Sequence, residues 1–372
     1  MKKTINNYSY KVFNSFDDEM INEWKEFEKK SVSTIFQKFF FVSNWQKTIN
    51  KNYNRKLFII FLYNENKLIL ILPFIIKKIL KIKTLEWIGE PFSDLNFPNI
   101  INDDKYIKDN INYVLKKIFE ENKEYFEFVY LKKQINFLNK NFFFNNLIHY
   151  NTHEENKMMI INEDFENYKN KSYFFNSSKF KKIMKNINKF KITYKSSFSH
   201  KNKEKFREDV FNFFLKNKSY KIQKTGKWDY TKYTKYVDFI NLNLNDNHCI
   251  FDAIYLNNEI ISANIGFIDN ETYYYIFPSY DQNWAKISPG SINLYFLIDE
   301  LFANKFCKKF DFTIGNEAYK EVWSNKSEYL FESYFVNSFK GYILLILIKF
   351  KNFIRNTQAF KIIKYFYRKI RK

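Results

Sequence analysis

The sequence predicts an α/β (α+β) protein of two tandem domains, each with a mixed, mostly antiparallel sheet flanked by helices. Two observations predict this fold class. Short strand-like runs are joined by tight polar turns, and helices with regularly spaced apolar residues follow them. The same order then recurs roughly 190 residues later, a spacing that suits two domains of ordinary size. We expect domains at residues 1–165 and 166–338, and a separate basic tail at 339–372.

Each half begins with two helices and continues as a three-stranded meander, a helix and a further strand. In the first half, the predicted helices span 17–30 and 39–52, the strands span 57–63, 67–76 and 83–88, a helix runs from Tyr106 to Phe119, and a strand spans 125–131. In the second half, the helices span 177–190 and 203–217, the strands span 250–256, 259–268 and 271–277, a helix ends near Phe302, and a strand spans 310–314. A strand, helix and strand in this order predict a crossover to a parallel neighbour.

The loop that begins the last helix of the second half has the composition of an anion site. A helix N-terminus presents unpaired N–H groups and the positive end of the helix dipole, which suit a phosphate or pyrophosphate. Glycine would let the backbone approach such a ligand closely. An ordinary tight turn before a helix would have the same composition. The predicted cofactor-binding residues are Ser288, Pro289, Gly290, Ser291 and Ile292.

The end of the strand at 310–314 holds the candidate catalytic residues. Asp311 and Glu317 are candidate bases, because an acceptor must lose a proton during group transfer. Asp252, on the first strand of the second meander, is a third candidate, and for each of the three taken alone a structural role is favoured over a catalytic one. We assign Tyr319, Lys320 and Trp323 to substrate binding.

Several short motifs follow one another along the chain: Phe36-Gln37 before Trp45, Ile71-Leu72-Pro73-Phe74, Ile88-Gly89 with Asp94, Ser288-Pro289-Gly290, and Asp311-Phe312 followed by Gly315, Glu317, Tyr319, Lys320 and Trp323. In this order they resemble the GNAT-like acetyltransferases of the CelD/BcsL group, within the double-GNAT, FemAB-like superfamily. The resemblance runs from about Phe13 to about Trp323. It implies two GNAT-like domains and acetyl-CoA as co-substrate.

The resemblance also implies an activity: an N- or O-acyltransferase that acts on an amino sugar or a surface-polysaccharide precursor by direct acyl transfer. One alternative is a FemAB-like peptidyltransferase that uses aminoacyl-tRNA, and another is a non-catalytic assembly factor docked to a membrane complex. The first half has acidic residues, Glu90 and Asp94, in its corresponding loop. Because they would repel a pyrophosphate, we expect the second half alone to hold acetyl-CoA.

The composition indicates which partners and which cell compartment to expect. The formal net charge is +21, which suits an anionic membrane or a nucleic acid, although lysine enrichment through codon drift would give the same value. Nucleic acid is an expected partner only as tRNA. Cys249 and Cys307 are too few for a disulfide framework, and the N-terminus does not have the pattern of a secretory signal. We therefore expect a cytoplasmic protein.

Two further segments have competing interpretations. His149 and His153 have metal-ligand spacing, but a third ligand is not evident, so we expect no metal. In the tail, apolar residues from Phe339 to Ile354 share one helical face, with lysines and arginines around them. Such a helix can lie in a membrane interface at the inner face of the membrane, or it can cap the core of the second domain.

Overall fold

The computed structural model describes residues 3–5, 7–51, 53, 55–101, 111–135, 148–199, 202–225 and 229–356. The strands are β1 (Lys3–Ile5), β2 (Tyr8–Phe13), β3 (Ser31–Val32), β4 (Lys56–Asn64), β5 (Lys67–Ile79), β6 (Ile82–Trp87), β7 (Asn99–Ile101), β8 (Phe128–Gln134), β9 (Ile148–Ile160), β10 (Thr193–Ser196), β11 (Cys249–Leu256), β12 (Glu259–Asp269), β13 (Thr272–Tyr275), β14 (Ser279–Tyr280), β15 (Lys309–Ile314) and β16 (Lys326–Val336). The helices are α1 (Asp18–Glu28), α2 (Phe39–Thr48), α3 (Ile111–Glu121), α4 (Phe165–Lys171), α5 (Ser178–Phe190), α6 (Lys203–Thr225), α7 (Thr234–Asn243), α8 (Pro289–Ala303), α9 (Ala318–Trp323) and α10 (Phe339–Asn356).

The first compact unit comprises residues 1–154 and 329–372. Its strands follow the order β1-β2-β4-β5-β6-β8-β16. These neighbours are antiparallel except β6 and β8, which are parallel because α3 lies in the crossover between them. Asp17 caps α1 by accepting the N–H of Met20 at 2.8 Å. This cap starts α1 so that Trp24 points into the aromatic core of the unit, edge-on to Phe61.

The second compact unit comprises residues 155–328, with the strand order β9-β15-β13-β12-β11-β10. Only β13 and β15 are parallel among these neighbours, and α8 lies in their crossover. Because side chains alternate along β11, Ile250 and Ile254 join the core on the α8 side. Phe251 points to the other side, where its ring lies against Phe206 of α6.

The two units therefore repeat one arrangement: an antiparallel meander, a crossover helix and a parallel strand. The elements are β4, β5, β6, α3 and β8 in the first unit and β11, β12, β13, α8 and β15 in the second. The predicted fold class, two tandem domains with mixed, mostly antiparallel sheets flanked by helices, is confirmed. Tyr106 and Ile107, where the predicted third helix begins, lie outside the described residues.

The observed units differ from the predicted domains 1–165, 166–338 and 339–372. Residues 155–165 belong to the second unit because the end of β9 pairs with β15 there. Residues 329–338 belong to the first unit because β16 pairs antiparallel with β8, with Val336 opposite Phe128. The tail, predicted as separate, begins with α10 and also belongs to the first unit. Both boundaries lie inside strands, one in β9 and one in β16.

Among the described residues, no helix is both long and apolar enough to cross a lipid bilayer.

Candidate active site

The parallel strands β13 and β15 separate at their carboxyl ends. They pair only from Thr272 opposite Lys309 to Tyr274 opposite Asp311. Beyond this point β15 runs on to Ile314, whereas the chain after β13 returns to β12 as β14, with Tyr280 opposite Ser262. The separation opens a gap at the carboxyl end of the crossover, a place where sheets of this kind commonly bind ligands.

A β-bulge reshapes the end of β15. The register against β9 shifts between Asp311 and Ile314, and Thr313 has a φ of 56°, which is unusual for a β-branched residue. The carboxylate of Asp311 accepts the Thr313 N–H at 2.9 Å and the Asn156 amide at 3.0 Å, and it lies 3.1 Å from Lys309 Nζ. Asp311 is fully buried. The structure thus shows it holding the bulge that directs the chain after β15.

The N-terminus of α8 lies beside the gap. Ser288, in the left-handed region at φ 63°, precedes Pro289, which has no N–H to donate. The N–H groups of Ser291 and Ile292 both donate to the Ser288 carbonyl, at 3.0 and 3.1 Å. The Gly290 N–H has no such acceptor among the described residues. It is the first-turn donor that remains available to a ligand.

A cavity of about 300 Å³ joins this loop to the residues after β15. It lies within the second unit and contains both apolar rings and charged groups. Its lining residues are Lys221, Ser262, Tyr275, Pro278, Ser279, Tyr280, Ala285, Ser288, Pro289, Gly290, Ser291, Leu294, Glu317 and Tyr319. The structure therefore brings four of the five predicted cofactor residues together with Glu317 and Tyr319.

Glu317 supplies the carboxylate of the cavity. It precedes α9, its side chain is about half exposed, and its Oε2 lies 3.3 Å from Lys320 Nζ. Gly315 makes this position possible, because it has a φ of 133° and a Cβ there would lie 2.3 Å from Glu317 Oε2. An accessible carboxylate next to an ammonium group can accept a proton from a bound acceptor.

Tyr319 places a phenol in the same cavity. Its ring lies against Tyr275 and Phe312, with centroids 6.4 and 6.3 Å away. Burial, and then the charge of Glu317, raise the pKa of Tyr319 well above its ordinary value. The hydroxyl therefore stays protonated near neutral pH, and it can donate a hydrogen bond or a proton.

The other predicted site residues are buried and do not line the cavity. Ile292 is fully buried in the core, and its N–H is already used by Ser288. The Lys320 side chain is buried, and its Nζ donates to the Ile314 carbonyl at 2.7 Å. Trp323 is also buried, with its ring 4.3 Å from that of Phe174. A larger depression of about 790 Å³ beside Trp323 has none of the α8 loop residues in its lining, so we place the site at the smaller cavity.

Asp252, the third candidate base, is buried inside the second unit. Its two carboxylate oxygens accept the side-chain amides of Asn293 at 2.8 Å and Asn264 at 2.9 Å. Burial raises the pKa of Asp252 to about 8, although both amides act against this shift. Because the carboxyl group is fully buried, it cannot reach an acceptor in the cavity.

The corresponding loop of the first unit is closed by ion pairs. Lys133 Nζ lies 3.5 Å from both Glu90 and Asp94, and it donates to the Ser93 carbonyl at 2.8 Å. Burial opposes the charge of Glu90, but the ammonium of Lys133 lowers the pKa of its carboxyl group. The acidic residues therefore hold this loop in place.

Cysteines and histidines are further residue types with reactive or metal-binding side chains. Cys249 begins β11, and burial raises the pKa of its thiol well above the ordinary value, which makes it a poor nucleophile. The side chains of His149 and His153 lie outside the described residues. Where side chains are described, no cluster of three His, Cys, Asp or Glu residues has the arrangement of a metal site.

Lys221 and Tyr280 are among the lining residues that the sequence did not predict. Lys221 lies on α6, which continues past the predicted end at Asn217, and its Nζ lies 5.6 Å from the ring centroid of Tyr280. Tyr280 belongs to β14, a strand of two residues. Neither residue has a distinguishing local pattern, because lysines and tyrosines are frequent throughout the chain.

Part of the second unit matches a known family of domains. Residues 241–321, from α7 to the middle of α9, match the family of acetyltransferase (GNAT) domains. The matched range contains both the α8 loop and Glu317. No curated protein sequence is significantly similar to the chain.

Solved structures share the fold over nearly the whole chain. FemX has a TM-score of 0.61 at 10% identity, over 90% of this chain and 99% of its own. A conserved protein of unknown function from Bacteroides thetaiotaomicron VPI-5482 has a TM-score of 0.56 at 12% identity, over 87% and 99%. L-PGS from Bacillus licheniformis has a TM-score of 0.53 at 9% identity, over 90% and 98%. Residues 241–321 of the second unit thus match a GNAT acetyltransferase domain, and the chain shares the fold of FemX.

Proposed function

We propose that this protein is an acyltransferase that takes its acyl group from acetyl-CoA. Its acceptor is an amine or a hydroxyl of an amino sugar or a surface-polysaccharide precursor. One observation carries the proposal: a single cavity contains Gly290, with the available N–H of the first turn of α8, an accessible carboxylate and a protonated phenol. The GNAT domain match supports acyl transfer, and the CelD/BcsL-like motifs support a glycan acceptor made in the cytoplasm.

The residues around the α8 loop fit a pyrophosphate. Gly290 offers an N–H, and Ser288 and Ser291 line the same cavity. Lys221 adds a positive charge from α6. The cavity is large enough for one end of acetyl-CoA, whose remaining length would lie along the surface.

The same geometry supports direct transfer. Glu317 accepts the proton that the acceptor nitrogen or oxygen loses as it attacks the acyl carbon. The bond between that carbon and sulfur breaks, and Tyr319 is placed to protonate the departing thiolate. Asp311 supports the reaction only indirectly, because it holds the bulge from which both residues follow. The site therefore needs no covalent enzyme intermediate.

Calorimetric titration of the full chain with CoA tests the donor site. Gly290→Glu should abolish binding, since it adds bulk and negative charge to the loop, and Lys221→Glu should weaken it roughly tenfold or more. Gly290→Ala and Lys224→Glu are matched controls. A Cβ at residue 290 would only touch Tyr280 at 3.4 Å, and exposed Lys224 is on the same helix but outside the cavity. Equal affinity in all four folded variants would refute the assignment.

Thiol release from acetyl-CoA, with glucosamine and related amino sugars as probe acceptors, tests the chemistry. Glu317→Gln should lower turnover by roughly 10²–10⁴ while the affinity for CoA is retained. If turnover survives this change, Glu317 is not the base.

An aminoacyl-tRNA donor, as in FemAB-like enzymes, is the alternative that one observation favours. The amide of Asn186 on α5 donates to the Ile287 carbonyl at 3.0 Å, so α5 is held against the α8 loop. This helix and its C-cap carry exposed lysines at 179, 181, 182, 185, 189 and 191. If tRNA binds with a steep salt dependence while CoA does not bind, this alternative replaces acetyl-CoA. If neither ligand binds, a non-catalytic assembly role is favoured.

A further inference from the structure

The helix α10 packs on the first unit through one narrow face. Leu344 and Leu345 are buried in a cluster with Ile82, Phe128 and Tyr334. Gly341 makes the closest approach, because a Cβ at this position would lie 2.5 Å from the Glu127 carbonyl oxygen. The helix is therefore fixed on the first unit. The interpretation in which it caps the core of the second domain is wrong.

The opposite face of α10 is a second apolar surface, which faces solvent. Its large side chains recur at helical spacing and are between 42% and 78% exposed. They are Phe339, Tyr342, Ile343, Ile346, Leu347, Phe350 and Phe353. A continuous apolar face of this size on a helix of 18 residues commonly marks an interaction surface.

Positive charge borders this apolar face on both sides. At 100° per residue, Lys340 and Lys351 flank one edge and Lys349 flanks the other. From residue 339 onward the sequence has seven lysines and three arginines but no aspartate or glutamate. This segment therefore contributes +10 of the formal net charge of +21. Codon drift alone would not remove every acidic residue from one segment.

We propose that the exposed face of α10 docks on an anionic membrane surface. The helix would lie parallel to the bilayer, with its apolar side chains in the interface and the bordering lysines at the lipid phosphates. A second copy of the chain is a poorer occupant of this face, because pairing two such segments would bring like charges together. The inference concerns the first unit and does not depend on the proposed acyl transfer.

Vesicle sedimentation of the full-length protein tests the proposal. The probes are vesicles of phosphatidylcholine with about one third phosphatidylserine, and vesicles of phosphatidylcholine alone. The protein should pellet with the anionic vesicles in 0.1 M salt and much less in 1 M salt, where the screening length falls from about 10 to about 3 Å. It should stay in solution with the neutral vesicles.

Substitutions confined to the exposed face keep the test independent of folding. The variant Ile346→Gln, Phe350→Gln and Phe353→Gln leaves Leu344 and Leu345 in place, and it should reduce vesicle binding at least tenfold. A control with Leu80→Gln, Tyr220→Gln and Tyr329→Gln changes side chains that are 53% to 70% exposed, compared with 50% to 69% in the test set. The control should bind like the unaltered protein.

Two results would overturn the proposal. One is equal vesicle binding by the test variant and the control. The other is a dimer that forms without vesicles and dissociates in the test variant, which would make this face a contact between copies. In both cases circular dichroism should show that the variants are folded.

Discussion

At the scale of single residues, buried charged side chains fix the backbone that carries the candidate site. Lys320 donates to the Ile314 carbonyl at 2.7 Å and pairs with Glu317, so it fixes the turn that presents the carboxylate. Asp311 fixes the bulge immediately before this turn. In the first unit, buried Gln37 also fixes a loop. Its side-chain amide donates to Asn96 at 2.7 Å, and its backbone carbonyl accepts from Asn99 at 2.8 Å. Several motif residues thus act on the backbone of a site or loop.

Asp252 makes stability dependent on pH. Its folded pKa is raised from 3.8 to about 8 by burial, with a further contribution from Glu300, while the amides of Asn264 and Asn293 lower it. Above pH 4 the unfolded chain loses this proton, whereas the folded protein keeps it until about pH 8. The contribution of Asp252 to stability is therefore complete below pH 4 and is lost between pH 4 and 8.

Asp252→Asn should flatten this part of the pH profile, because an amide resembles the protonated acid in shape and charge. Urea denaturation at pH 5 and pH 8 measures the effect. The unaltered protein should lose more stability between these values than the variant. Asp238→Asn, at an exposed position on α7, is the control. If Asp252→Asn and the control have the same pH dependence, the carboxyl group is ionised in the folded protein.

At the scale of elements, the packing of α10 depends on Gly341. Alanine normally favours a helix interior over glycine by about 1 kcal/mol. Here its Cβ would lie 2.5 Å from the Glu127 backbone, and overpacking of this kind costs roughly 1–3 kcal/mol. Gly341→Ala should therefore lower the free energy of unfolding, whereas Gly290→Ala should not. Urea denaturation compares the two variants, and a stabilised Gly341→Ala protein would contradict the observed packing.

The sequence predicted the regular elements well and the irregular ones poorly. Meander strands such as β11 and β12 have long apolar runs between polar turns, so periodicity located them. The bulge at Thr313 has no such pattern, because its backbone depends on a carboxylate, an amide and an ammonium from Asp311, Asn156 and Lys309. The candidate site was predicted on the α8 loop and at Glu317 and Tyr319. Lys221 was missed, because only the tertiary fold distinguishes it from other lysines.

At the scale of the whole molecule, the first unit is completed by residues far along the chain. Phe331 lies opposite Gln134, and Val336 lies opposite Phe128. The sequence indicated two consecutive domains, since strand patterns do not specify which distant edge a strand will join. Without the end of β16, β8 would be the open edge of its sheet.

Truncation tests this dependence. A chain ending at Glu328 should give a less stable or aggregating first unit, although the GNAT domain match is intact. A chain ending at Asn356 keeps β16 and α10 and should melt like the full-length protein. Thermal denaturation followed by circular dichroism compares the two. Identical melting of both truncated chains would mean that β16 contributes nothing to the first unit.

The late position of β16 also sets an order of assembly on the ribosome. Its pairing residues emerge about 200 residues after those of β8, which is roughly 10–40 s of translation. During this time the second unit, which is continuous in sequence, can finish folding while the first unit waits for its last strand. The unit that is synthesised first is thus completed last. Until then the edge of β8 is open to pairing with other chains, and a chaperone that covers it would protect the nascent chain.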